Sequence, residues 1–260
     1  MIVILGGTAE GRELSAALAE RGRPAVLSLA GRTRAPLTTG ETRSGGFGGV
    51  EGLVDYLRQT DAEFVVDATH PFAARISENA AEACRIAGVP LLRLSRPGWA
   101  EHPLADTWRW VTSHDEAAAF LDGLGAEPVL LTVGKQHSLD YVPRLAGRHI
   151  IARMTEAPSG PIPESWELLL ARGPFALDDE LELFRRLGIR ALVSKDSGGA
   201  HTAAKLDAAH TVGAIVVMIG RPAAPAGVET VATVAEALAH LTPARLSACT
   251  NLRMRPDLAI

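Results

Sequence analysis

Ile2-Val3-Ile4-Leu5-Gly6-Gly7-Thr8-Ala9-Glu10-Gly11-Arg12 opens the chain after Met1, and its reading decides the fold. Four apolar residues lead into two glycines and then into a helix-patterned stretch at 13–21. That order predicts a strand, a tight turn and a helix N-terminus. Such a turn binds anions, because glycines let the backbone come close and the first helical turn offers unpaired N–H groups and a partial positive charge. The implied ligand is a nucleotide or dinucleotide cofactor, with Gly6, Gly7, Thr8, Glu10 and Arg12 as its contacts. The spacing is not Gly-x-Gly-x-x-Gly, and the Gly-Lys-Ser/Thr ending of an ATP-binding P-loop is missing. Taken alone, the turn also fits an ordinary strand-to-helix connection.

The alternation set up by this first unit continues through most of the 260 residues. Short Val/Ile/Leu-rich runs predict strands at 2–5, 25–28, 42–44, 64–67, 91–94 and 109–111, then at 129–132, 149–152, 167–170, 191–194, 214–219 and 229–231. Helical patterns fill most intervals, including 73–87, 115–121, 176–187, 202–210 and 234–241. Continuous apolar strands alternating with helices predict parallel sheets covered on both faces. The fold class expected is therefore α/β, as two Rossmann-like, doubly wound domains facing each other across a cleft. The composition of residues 123–128 is that of a boundary, which divides the chain into a cofactor domain at 1–125 and a second domain at 126–242. Residues 243–260 read as a loose tail, since periodicity stops after Pro243.

The two halves look related. Phe64-Val65-Val66-Asp67, a helix, Gly88-Val89-Pro90-Leu91-Leu92 and Arg96-Pro97 are echoed by Ala191-Leu192-Val193-Ser194, a helix, Gly213-Ala214-Ile215-Val216-Val217 and Arg221-Pro222. The closing segments match as well: Val111-Thr112 leads to Glu116-Ala117, and Val231-Ala232 leads to Glu236-Ala237. Closing units this alike leave open whether each terminal strand packs in its own sheet or in the other.

Composition narrows the function. The net charge is -4 and 47% of residues are hydrophobic, with no basic run to track a phosphate backbone, so a nucleic-acid partner is not expected. No apolar run reaches membrane-spanning length, and the chain opens on a core strand instead of a signal peptide. A soluble, cytoplasmic protein acting as a monomer or weak homo-oligomer is expected. The two cysteines, Cys84 and Cys249, form no metal or redox motif, and no metal site is predicted.

The loop after the second predicted strand bears on which nucleotide is bound. Ser28-Leu29-Ala30-Gly31-Arg32-Thr33-Arg34 carries two arginines where an NAD site usually has an acid for the ribose hydroxyls. Guanidinium groups pair bidentately with phosphate, so Ser28 and Arg32 point to the 2′-phosphate of NADPH. Gly45-Gly46-Phe47-Gly48-Gly49 offers a further close backbone approach or a flexible turn. Asp67-Ala68-Thr69-His70-Pro71-Phe72 ends the fourth strand at the cofactor edge. There Thr69 and His70 are candidate cofactor contacts, with helix capping as the plainer alternative.

In the second half, Ser194-Lys195-Asp196-Ser197-Gly198-Gly199 ends the strand equivalent to the one before His70, and Lys205 lies one turn into the next helix. Lys195, Lys205 and Asp196 are the candidate catalytic residues, although Lys195 and Asp196 could simply pair with each other. Arg153, Arg172, Ser197, Gly198 and Gly199 are candidate substrate contacts. Cations at several equivalent strand ends suit a ligand rich in carboxylates.

At these residues the chain resembles the precorrin-6A reductases of corrin-ring (cobalamin) biosynthesis. The resemblance runs from Gly6-Gly7-Thr8 with Glu10-Gly11-Arg12 through Asp67–Ala73, Arg93 and Arg96-Pro97. It continues in Arg172-Gly173-Pro174-Phe175, Lys195–Gly199, Ala204-Lys205-Leu206 and Arg221-Pro222, covering about residues 1 to 241. It implies two Rossmann-like domains with NADPH in the first and the macrocycle between them. The implied reaction delivers hydride to C19 of precorrin-6A and a proton to the adjacent carbon, giving precorrin-6B. Relatives on the anaerobic route act on the cobalt-containing substrate, which is the alternative reading. A short-chain reductase would want Tyr-x-x-x-Lys, and neither Tyr56 nor Tyr141 has lysine four residues on. Two non-enzymatic readings stay open: a two-lobed nucleotide- or metabolite-binding protein, and a nucleotide-sensing regulator.

Overall fold

The computed structural model describes residues 1–30, 40–199 and 202–241. The chain forms two compact units, one made of Met1–Arg96 together with the chain from Pro222 onward, the other of Pro97–Arg221. Each is a six-stranded, all-parallel sheet with helices, a Rossmann-like α/β arrangement. No described helix is long and apolar enough to cross a membrane.

The first unit runs β1 (Ile2–Leu5), α1 (Ala9–Glu20), β2 (Ala25–Leu29), β3 (Glu41–Ser44), α2 (Val50–Gln59), β4 (Phe64–Asp67), α3 (Ala74–Ala87) and β5 (Leu91–Leu94). Beyond β5 the chain enters the second unit. There it forms β6 (Arg109–Val111), α4 (His114–Leu124), β7 (Val129–Leu131), α5 (Val142–Leu145), β8 (Ile150–Met154) and β9 (Trp166–Leu170). That unit is completed by α6 (Leu177–Arg186), β10 (Ala191–Lys195), α7 (Ala204–Thr211) and β11 (Ile215–Ile219). The chain then returns to the first unit for β12 (Glu229–Val231) and α8 (Val234–His240).

Sheet order is β12-β5-β4-β1-β2-β3 in the first unit and β6-β11-β10-β7-β8-β9 in the second. Each sixth strand is thus an exchange. β6 follows β5 in sequence but pairs with β11 (Val217 with Arg109), and β12 follows β11 but pairs with β5 (Leu92 with Glu229). The boundary consequently falls at Arg96/Pro97 and Arg221/Pro222, not in 123–128. Crossovers between parallel neighbours usually carry a helix. The link between β11 and β12 holds none, and the one between β5 and β6 holds only the one-turn 3₁₀ segment Ala105–Thr107. Lack of a helix does not by itself force the exchange, since β8 and β9 pair in parallel across a helix-free link.

Alternate residues of the first unit's strands serve its two faces. Ile2, Ile4, Leu27, Val66, Leu92 and Leu94 pack with Leu14 and Leu18 of α1 and with Val234 and Ala237 of α8. Val3, Leu5, Val26 and Val65 pack with Leu53 and Leu57 of α2 and with Ala80 and Cys84 of α3. Burying one such side chain fully contributes about 1.5–3 kcal/mol, and cover on both faces explains why these strands read as unbroken apolar runs. In each sheet the chain winds outward in both directions from a central pair, β1 with β4 or β7 with β10. This is the switch point where ligands of such sheets bind, outside the strand C-termini.

Candidate active site

At the first switch point, the chain leaves β1 through Gly6 and Gly7. Gly6 N donates to Ser28 O at 2.8 Å, and a Cβ on Gly6 would lie 2.6 Å from Leu27 Cδ1, so a side chain here would have to displace the buried Leu27. Gly7 has φ +147°, and the nearest atom to a Cβ there would be His70 N at 3.8 Å. Thr8 caps α1: its Oγ1 accepts from Gly11 N at 3.1 Å and donates to Ala68 O at 2.8 Å. Gly11 faces β4's end so closely that a Cβ would come 3.1 Å from Ala68 Cβ. One glycine makes the tight turn, one bares the backbone and one lets helix and strand approach. These are the three tasks glycines perform in a dinucleotide-binding turn, here at a different spacing.

Glu10, in the first turn of α1, accepts from Arg96 Nη1 with both oxygens, at 3.1 and 2.9 Å. Partial burial pushes its pKa up, but its own backbone N–H, the Arg96 charge and hydrogen bonds from Arg96 and Thr8 outweigh this and hold it below the ordinary carboxylate value. Asp67 and Thr69 serve each other: Asp67 Oδ1 accepts from Thr69 N at 3.1 Å and Thr69 Oγ1 at 2.6 Å, while Oδ2 takes Arg93 Nη1 at 2.9 Å. Neither caps α3, whose N-cap is Ala73. His70 Nδ1 accepts from Phe72 N at 3.2 Å and so shapes the turn ahead of that helix. Buried Ser28 accepts from Arg43 Nη1 at 3.0 Å. Arg43 also donates to the carbonyls of Gly45 and Gly46 and lies 4.0 Å over the Phe47 ring. Arg12 is exposed on α1, and Arg32 lies outside the described residues.

The second unit collects its charges where β8 and β10 end. Lys195 closes β10, and burial lowers its pKa to about 8. The Asp196 carboxylate is paired not with Lys195 but with Trp99 N, at 2.6 Å, and Arg221 Nε, at 3.3 Å; Arg221 Nε also donates to Asp196 O at 2.6 Å. Asp196 thereby fastens both places where the chain enters and leaves this unit. Gly198 has φ +63° and sits against Pro97 O, and the buried Ser197 precedes it. Thr202 Oγ1 donates to the carbonyls of Gly198 and Gly199 at 3.1 and 3.2 Å. Lys205 is buried, its Nζ donating to Thr202 O at 2.8 Å. Burial, then the Arg153 charge, and more weakly Lys195, bring its pKa down to about 7 against the pull of Glu180. Arg153 is buried too: Nη1 reaches Glu180 Oε1 at 2.6 Å and the guanidinium covers Phe175 at 4.2 Å. Arg172 is exposed beyond β9.

Comparison with known proteins decides the family. The sequence model described as "Precorrin-6x reductase CbiJ/CobK" matches residues 1–242. The chain is similar to a Rhodococcus erythropolis protein named precorrin-6A reductase, with 47% identity over 92% of this chain and 96% of that one. It is also similar to a solved structure, "CobK precorrin-6A reductase", with a TM-score of 0.80 and 39% identity over 92% of this chain and 95% of that one. A Priestia megaterium protein named cobalt-precorrin-6A reductase matches at 26% identity over 85% of this chain and 91% of that one. The chain belongs to the precorrin-6x reductase family.

Within this reductase, the candidate residues predicted from sequence separate into two kinds. Gly6, Gly7, Thr8, Glu10, Ser28, Thr69 and His70 gather around the strand ends β1, β2 and β4. Lys205 and Arg153 both interact with Glu180, and Lys195, at the end of β10, acts on Lys205 as a like charge. Several residues at these edges are not marked as contacts by the sequence. Arg96 and Arg43 are the partners of Glu10 and Ser28. His114, after β6, stacks on His137, after β7, with ring centroids 4.2 Å apart, and its Nδ1 lies 3.0 Å from Tyr141 Oη. Burial, followed by the His137 and Lys195 charges, lowers the His114 pKa to about 4. Two histidines each a few residues past a predicted strand end were the available signal.

Proposed function

We propose that this chain reduces precorrin-6A to precorrin-6B with NADPH, the Gly6–Arg12 turn holding the cofactor and the lysines after β10 and on α7 serving the macrocycle. The observation that carries this reading is family membership across residues 1–242, joined to a turn whose three glycines suit a pyrophosphate. Relatives named for the cobalt-free substrate are the more similar, which supports precorrin-6A over its cobalt form. NADPH is favoured over NADH because the strand end at Ser28 carries Arg43, with Arg32 further along the sequence, and the segment 28–34 has no acid to grip ribose hydroxyls.

Bound there, the nicotinamide supplies the hydride. The chain supplies orientation and charge. Gly7 and the first turn of α1 offer backbone N–H groups to the pyrophosphate. Glu10 does not repel it, because Arg96 holds and balances that carboxylate. Lys195 and Lys205 bind substrate carboxylates or polarise a ring nitrogen, which makes the conjugated system a better hydride acceptor. Asp196 contributes through the Pro97–Trp99 segment it fastens, and Arg153 through Glu180. One proton accompanies each hydride, so precorrin-6A, NADPH and H⁺ give precorrin-6B and NADP⁺.

The test incubates the protein with precorrin-6A or cobalt-precorrin-6A, each with NADPH or NADH, and identifies products by mass. Precorrin-6A with NADPH should give a product heavier by two hydrogens, with one cofactor oxidised per product. Binding of the macrocycle without cofactor oxidation would overturn the reading. Lys205→Ala should slow turnover and spare NADPH binding; unchanged turnover would remove Lys205 from the reaction.

A further inference from the structure

Helix α6 buries an acid where its pattern calls for an apolar residue. Glu180 lies four residues before Phe184 and three before Leu183, on the stripe that packs into the core of the second unit, and it is 1% exposed. One of its oxygens takes Arg153 Nη1 at 2.6 Å; the other, Oε2, has no hydrogen-bond partner among the described residues. Stability does not account for this arrangement. A buried ion pair seldom outperforms apolar residues of the same volume, and a half-satisfied buried carboxylate is costlier still. Helix α6 packs on α7, which carries Lys205, and Phe184 of α6, Ile151 of β8 and Leu206 of α7 share one core cluster, so the pair and Lys205 lie in one region and interact electrostatically.

We infer that Glu180 is a positioning residue of the reaction: held by Arg153, its carboxylate is the counter-charge that keeps the buried Lys205 ammonium available to the substrate. The inference rests on the assignment of Lys205 to the macrocycle. The charged groups facing Lys205 are Arg153 from β8, Lys195 from β10 and Glu180 from α6. Two are cations that favour loss of its proton, as does burial. Among the described residues, Glu180 alone opposes them. Without that carboxylate, Lys205 would share a dry site with two cations and would be neutral near pH 7, unable to grip a carboxylate or polarise a ring nitrogen.

Glu180→Gln keeps the shape and an acceptor for Arg153 but removes the charge; Glu180→Asp keeps the charge. Turnover of precorrin-6A that needs cationic Lys205 should fall as pH rises through about 7. In Glu180→Gln this fall should move about one pH unit lower, with a loss of kcat/KM that approaches about tenfold above the wild-type midpoint and an unchanged KM for NADPH. Glu180→Asp should restore the wild-type midpoint. In parallel, the Lys205 Nζ titration is followed by NMR of ¹⁵N-lysine-labelled protein, with Lys205→Arg used for assignment. That readout needs neither substrate nor cofactor. Equal Lys205 midpoints in wild type and Glu180→Gln would overturn the inference, as would an equal loss of rate in both variants without a shifted profile. Should Glu180→Gln not fold, Glu180→Met, which fills the buried site without a charge, is titrated in its place: the Lys205 midpoint should fall, and an unmoved midpoint would overturn the inference. A wild-type protein inactive on precorrin-6A would defeat the functional assignment, while the NMR titration would still decide the coupling.

Discussion

Lys205 is an ammonium group held away from water at the end of a sheet, and folding must answer for it. Its pKa is lowered from 10.5 to about 7, first by burial and then by Arg153. Between those two pH values the unfolded chain binds the proton that the folded chain has released. Stability therefore rises with pH across this interval, and the destabilisation is complete below about pH 7, where a charged lysine stays buried. Urea unfolding at pH 6.5 and 9.5 should show a wild-type gain at the higher pH that is much smaller in Lys205→Met. An identical gain in both proteins would mean that Lys205 is not the group responsible. From sequence, Lys205 stood out as a lysine one turn into a helix after a glycine-rich strand end. Glu180 could not be picked out, because Leu177-Asp178-Asp179-Glu180 reads as an ordinary acidic first turn. Which of three neighbouring acids turns inward depends on the phase of the helix against its sheet. Glu10 lies in the turn predicted to bind phosphate, and its counter-charge, Arg96, comes from far along the chain, which local sequence does not reveal.

At the scale of elements, the strands were legible because both faces of each sheet are covered, and helix ends were legible where a hydroxyl caps them. Ser113 caps α4 and Thr233 caps α8 in the same way, each accepting from the N–H of a glutamate three residues on. The loops were less legible, since glycine composition does not distinguish a turn that must be bare from one that is merely free. Gly198 and Gly123 mark that difference. A Cβ on Gly198 would lie 2.1 Å from Pro97 O at φ +63°, whereas one on Gly123, inside α4, would meet nothing within 4 Å. Gly198→Ala should destabilise the protein by roughly 2 kcal/mol or more and reduce turnover, because it displaces the segment fastened to Asp196. Gly123→Ala should stabilise by about 0.5–1 kcal/mol with turnover unchanged. Chemical denaturation of both variants beside a steady-state assay checks the pair, and a Gly198→Ala protein as stable and active as wild type would contradict the steric argument.

The whole molecule depends on which sheet each terminal strand joins. The segments that close the two halves have the same strand-cap-helix chemistry: Glu116 Oε2 accepts from Thr112 N and Glu236 Oε2 from Ala232 N, both at 2.8 Å. Local sequence cannot tell such segments apart, so the exchange stayed open and the boundary was expected at 123–128. The helix-free links after β5 and β11 are a weak signal of it, since β8 and β9 pair within one sheet across a helix-free link too. The exchange makes the two units unequal as pieces of chain. The second is continuous, with all six strands between Pro97 and Arg221. The first draws β12 and α8, and with them the core residues Val231, Val234, Ala237 and Leu241, from the far end of the sequence. Fragment 97–221 expressed alone should therefore unfold cooperatively, with dispersed amide resonances. Fragment 1–125 should not, although it holds every residue of the Gly6–Arg12 turn. It lacks a sheet edge with its covering helix, and it carries β6 together with Trp99 and Trp108, whose packing partners lie in the second unit. Adding residues 222–241 to 1–96 through a flexible linker should restore cooperative unfolding. Cooperative unfolding of 1–125 alone would show that β12 and α8 are dispensable to the first sheet, and the exchange would then be an ornament of the topology instead of a condition of folding.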